Sequence, residues 1–128
     1  MHRALIVEDE AISALALSGM VEDAGWSVTG VAASGERALE MARSDLPDLV
    51  LMDIQLSGAL SGLEVATRMV EEYGVPVIFT TAYTENEVLG GGALATGFRF
   101  LAKPVSEASL REMLSVVRTR RPAGSEPG

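Results

Sequence analysis

Five short apolar runs punctuate the chain: Ala4–Val7, Val28–Ala32, Leu49–Met52, Val75–Phe79 and Phe98–Ala102. They are mostly continuous rather than alternating, the pattern of strands buried on both faces. Helical signals fill the intervals. Ile12, Leu15, Met20 and Ala24 recur at roughly helical spacing, and Gly25 marks the stop. A second helix starts near Ser34 and carries Ala38, Leu39 and Met41 on its apolar side. Ser61-Gly62-Leu63-Glu64 is a capping box ahead of Val65, Met69 and Val70, and Gly74 ends that helix. Thr84-Glu85-Asn86-Glu87 is another capping box, opening a fourth helix. Ser106 caps the last helix, which runs through Leu110, Met113, Leu114 and Val117. Arg118, Arg120 and Arg121 follow near its C-terminal end, where positive charge favours the helix dipole.

A strand followed by a helix, five times over, demands a parallel sheet with helices on both faces. Five strands are too few for a (β/α)8 barrel, so the pattern predicts an α/β, doubly wound open sheet, and the flavodoxin-like order 2-1-3-4-5 is taken as the working expectation. One domain over residues 1–120 is expected, with residues 121–128 as a flexible tail of linker composition. The apolar fraction of 48% and charged fraction of 22% suit a folded core rather than disorder. A net charge of −8 argues against duplex nucleic acid or an anionic membrane as partner. With no cysteine, thiolate metal sites and disulfides are excluded. The first apolar run meets Glu8-Asp9-Glu10 too soon for a signal peptide, and no stretch approaches the ~18 apolar residues of a membrane span. A cytoplasmic location is expected. Trp26 reads as half-buried packing before the second strand, and His2 as a terminal residue without an evident partner.

Ligands of such sheets bind beyond the carboxyl ends of the strands. Strand 1 ends in Glu8-Asp9, strand 3 in Asp53, strand 4 in Thr80-Thr81 and strand 5 in Lys103-Pro104. If the order is 2-1-3-4-5, three carboxylates, a hydroxyl and a lysine converge at one edge. Crowded carboxylates repel, and a hard divalent cation such as Mg²⁺ resolves the conflict with oxygen ligands. Lys103 is the only lysine among ten basic residues, a compact point charge where arginine would present a rigid fork. These parts suit phosphoryl transfer to a carboxylate.

The same residues resemble the receiver domain of two-component response regulators over about residues 3–118. Glu8-Asp9 matches the family's acidic metal-binding pair and Asp53 its phosphoacceptor. Thr81 with Ala82 matches the hydroxyl residue and its small neighbour, and Lys103-Pro104 the Lys-Pro pair. Thr81 is preferred to Thr80 because the 22 positions from Thr81 to Lys103 fit the family spacing. The resemblance implies a stand-alone signalling receiver, similar to the chemotaxis response regulator, and not an enzyme. A sensor histidine kinase or phosphotransfer protein would phosphorylate Asp53. Mg²⁺ would be held by Asp9, Asp53 and the carbonyl of Gln55, with Glu8 acting through water. Thr81 and Lys103 would bind the phosphoryl oxygens, with a cis peptide before Pro104. Thr81 and Phe100 would form the switch, read by a downstream protein on the face of the fourth helix, fifth strand and last helix. Gln55 and Tyr83 stand where the family tunes dephosphorylation, and a bulky Tyr83 would shield the acyl phosphate.

The chain departs from the family at three places. Ser57 replaces the proline after the phosphoacceptor, and Gly62 lies nine rather than eight residues beyond Asp53. Phe100 replaces the commoner tyrosine. Gly90-Gly91-Gly92 interrupts the fourth helix, which is expected to be short or distorted, leaving Leu89, Leu94 and Phe98 as contacts for a partner. Two other readings compete: a pseudo-receiver that binds partners without phosphorylation, and a phosphohydrolase forming an aspartyl phosphate. Against the latter, Gln55 stands where such enzymes place a second aspartate.

Overall fold

A computed structural model describes residues 2–56, 60–82 and 98–119. Five parallel strands, β1 (Arg3–Val7), β2 (Ser27–Ala32), β3 (Leu49–Asp53), β4 (Val77–Thr81) and β5 (Arg99–Ala102), form one sheet in the order β2-β1-β3-β4-β5. The helices are α1 (Ala11–Asp23), α2 (Gly35–Ser44), α3 (Gly62–Tyr73) and α4 (Glu107–Thr119). Order and class are as expected. The fourth-helix segment with its glycine triplet, and residues 121–128, lie outside the described residues.

The continuous apolar runs hold for β1, β3 and β4, which are central and buried almost throughout. The edge strands β2 and β5 are only half-buried, since one flank of each has no further strand. Pleating splits the inward side chains between two cores. Leu5, Val7, Val50, Met52, Val77 and Phe79 pack under α2 and α3. Ala4, Ile6, Leu49, Leu51, Ile78 and Leu101 pack under α1 and α4. This division fixes which strand-end side chains meet.

Helix punctuation is as read for α2, α3 and α4. The Ser34 hydroxyl accepts from Arg37 N at 3.2 Å, and the Ser106 hydroxyl from Ser109 N at 3.1 Å. At α3 both halves of the capping box form, Glu64 N to Ser61 Oγ at 3.1 Å and Ser61 N to Glu64 Oε1 at 3.0 Å. Gly74 closes α3 at φ 66°, a left-handed conformation that glycine adopts without a Cβ clash.

Four expectations are corrected. In α1, Ala14, Leu17 and Val21 face the core, while Ile12 and Leu15 are 78% and 75% exposed. The helix is apolar on nearly every side, so periodicity alone does not select its buried face. Strand β4 begins at Val77 rather than Val75, beyond Pro76, which has no N–H for the ladder. Trp26 is buried, not half-buried, and His2 lies against it at 4.9 Å between ring centroids, so His2 has a partner.

Candidate functional site

Asp53 ends the central strand β3, and its carboxylate lies at the carboxyl edge of the sheet. Gln55 N donates to Asp53 Oδ1 at 2.9 Å, holding the carboxylate from its own loop. Lys103 Nζ donates to Asp53 Oδ2 at 3.0 Å and lies 3.6 Å from Glu8 Oε1. Lys103 follows β5 directly, where its backbone N–H donates to Thr81 O at 2.8 Å, and the Lys103–Pro104 peptide is cis. Carboxylate oxygens of Glu8, Asp9 and Asp53 all lie within 4.8 Å of one another. The sequence-predicted carboxylates and lysine therefore converge.

Glu8 and Asp53 are only 3% and 7% exposed, whereas Asp9 is open to solvent. Burial raises the pKa of Glu8; the N–H of Glu10, 3.1 Å from Oε2, opposes this, and the charge of Asp53 adds to it. For Lys103 burial works against the charge, but the hydrogen bond and charge of Asp53, helped by Glu8, outweigh it and raise the pKa. One ammonium pairs with two of the three carboxylates, Glu8 and Asp53. Three hard oxygen donors gathered within 4.8 Å, one of them exposed, form a donor set that fits a divalent cation such as Mg²⁺.

Strand alternation sorts the remaining residues. Asp53 and Thr80 are direct partners across the β3–β4 ladder, so their side chains share the face above the Leu51–Ile78 core. Thr81 lies on the opposite face with Phe79, whose ring stacks on Phe100 at 5.6 Å and meets Phe98 edge-on at 5.3 Å. Thr81 is buried and Ala82 exposed. Phe98 and Phe100 are half-buried against the Phe79 core. Tyr83, Ser57, Leu89 and Leu94 lie outside the described residues. Gly62, the first residue of α3, lets the helix start against the β3 end: a Cβ there would meet Ile54 O at 3.0 Å and Asp53 O at 3.1 Å. Thr80 was not foreseen as part of the Asp53 face. Its signal was the two-residue step from Ile78, available once β4 was placed.

A parallel doubly wound sheet with an acidic pocket bridged by a lysine at its carboxyl edge defines the class of receiver-like signalling domains. Residues 4–115 match the response regulator receiver domain, and the chain belongs to that family. It is 39% identical over 112 residues to the phyllosphere-induced regulator PhyR of Methylorubrum extorquens, covering 87% of this chain and 41% of that protein. The solution structure of the Erythrobacter litoralis PhyR receiver domain superimposes with a TM-score of 0.85 at 31% identity, covering 99% of this chain and 95% of the other. The crystal structure of the anti-anti-sigma factor PhyR from Bartonella quintana gives 0.81 at 30% identity, covering 91% of this chain and 47% of that one. This chain thus spans less than half the length of the full regulators PhyR of M. extorquens and B. quintana. Among the described residues no helix is long and apolar enough to cross a membrane.

Proposed function

We propose that the chain accepts a phosphoryl group on Asp53 from a phosphohistidine of a sensor kinase or phosphotransfer protein, and signals through protein contacts. The observation that carries this reading is the buried Asp53 carboxylate, 3.0 Å from the ammonium of the only lysine and clustered with Glu8 and Asp9. An Asp53 oxygen attacks phosphorus and the P–N bond breaks. The leaving imidazole keeps the bonding pair and takes a proton from solvent. Asp9, Asp53 and the Gln55 carbonyl would hold Mg²⁺, with Glu8 acting through water; bound there, the cation neutralises charge on the phosphoryl oxygens.

Lys103 turns from Asp53 to a phosphoryl oxygen, and Thr81 supplies a hydroxyl to another. Thr81, Phe79 and Phe100 share one sheet face, so a shift of Thr81 toward the phosphoryl group makes room for the Phe100 ring. Beside Phe100 an open groove of about 520 Å³, lined by Pro104, Ser106, Ser109, Met113 and Val116, offers a surface on which a partner senses the change. That one relative is an anti-anti-sigma factor supports a protein as the downstream target. Tyr83 and Gln55 would then set the lifetime of the phosphoform.

Mass spectrometry after incubation with acetyl phosphate and Mg²⁺ tests the proposal. One added phosphoryl group is expected on the wild type, absent without Mg²⁺ and absent in Asp53→Asn. A folded wild type that gains none would establish the pseudo-receiver reading instead. Many turnovers on small phosphoesters would establish the hydrolase.

A further inference from the structure

Thr80 is fully buried, and its Oγ1 has no hydrogen-bond partner among the described residues. It stands directly across the β3–β4 ladder from Asp53 and across the β4–β5 ladder from Leu101. Lys103 follows Leu101 by two residues, and its ammonium reaches Asp53 on the far side of β4. The lysine side chain therefore crosses β4 to reach Asp53, and the orphaned hydroxyl belongs to the β4 residue directly opposite Asp53 on the same sheet face. Valine has the same shape and would remove the cost of burying an unpaired hydroxyl, so this group has work to do in another state of the site.

We infer that Thr80 is a positioning residue for Asp53. Its hydroxyl donates to the Asp53 carboxyl oxygen that Lys103 leaves when the ammonium turns to the phosphoryl group. The inference rests on the proposed phosphorylation of Asp53 and adds to it a donor on the opposite sheet face from Thr81. The donor keeps the carboxyl group oriented while its lysine partner is engaged elsewhere, which matters because small misplacements of reacting groups are costly.

The test compares wild type, Thr80→Val and Thr80→Ser with acetyl phosphate and Mg²⁺. Urea unfolding of the unphosphorylated proteins should show Thr80→Val as stable as wild type or more so. Its rate of Asp53 phosphorylation at saturating donor should fall about tenfold, the scale of one hydrogen bond to a charged oxygen. Thr80→Ser should recover most of that loss. Because Lys103 is the only lysine, lysine-selective isotope labelling gives a single side-chain NMR signal. Its shift on phosphorylation should differ in Thr80→Val and return toward wild type in Thr80→Ser. Equal rates and equal shifts in wild type and Thr80→Val would overturn the assignment while leaving Asp53 phosphorylation intact. Impairment of Thr80→Ser with Thr80→Val at the wild-type rate would overturn it in favour of methyl packing, and equal impairment of both would overturn it because the hydroxyl alone restores nothing. A wild type that takes up no phosphoryl group overturns both readings.

Discussion

Replacing Lys103 by methionine removes the ammonium and keeps an unbranched apolar side chain of similar length. The lost contacts are those to Asp53 at 3.0 Å and Glu8 at 3.6 Å. In a partly buried setting each gross attraction is about 5 kcal/mol. Most of that is already spent on desolvation, and the lysine side chain is 30% exposed. Loss of one partner costs about 3–5 kcal/mol for fully buried pairs and under about 1 kcal/mol for exposed ones. This site lies between, so Lys103→Met should cost about 2 kcal/mol at pH 8 with chelator present. The cost must fall in acid. Glu8 is already raised above the ordinary glutamate value of 4.5 by burial and the nearby carboxylate, and losing the ammonium raises it further. Proton uptake by a group raised in the fold favours the folded state. That stabilisation is complete below the ordinary glutamate range and lost as pH climbs through the raised value. Urea unfolding at pH 5, 6.5 and 8 should therefore show a penalty that grows with pH, to about 2 kcal/mol, from under about 1 kcal/mol at pH 5. A penalty equal at all three values, or largest at pH 5, would refute the charge-crowding account.

Three further outcomes are expected. Mg²⁺ at ten times its dissociation constant should stabilise the fold by about 1.4 kcal/mol, raising Tm by about 5 °C, and Asp53→Asn should lose most of this in a thermal melt. Gly62→Ala gains helix propensity, but its Cβ meets two backbone oxygens of the β3 end that cannot yield easily. A net loss of about 1 kcal/mol by chemical denaturation, with slower phosphorylation, is expected. Lys103→Arg keeps the charge and should cost little stability, yet it should slow phosphorylation at least about tenfold in a stopped assay, because a planar fork does not replace a point charge here.

Much of the fold was legible because its signals are local. The capping serines, the Gly74 stop and the continuous runs of β1, β3 and β4 are one-dimensional features, and they gave the elements and the doubly wound class once parallel connection was required. The face of α1 was not legible, since Ile12 and Leu15 are as apolar as the Leu17 and Val21 that are buried in their place. Only packing against the sheet breaks that tie. Likewise the edge positions of β2 and β5 leave them half-buried, a consequence of strand order that their own residues do not carry.

At the site, the sequence alone determined the residue types: the acidic pair Glu8-Asp9, the lone Asp53 and the lone Lys103, each at a strand end. It did so because a parallel sheet delivers all its strand ends to one edge. The tertiary structure decided which groups touch. Ladder register set Thr80 beside Asp53 and Phe79 beside Phe100, and the reach of Lys103 across β4 made the ion pair. A one-residue change of register reverses the face of every side chain, so the chemistry of neighbours belongs to the pairing of strands and not to any strand by itself.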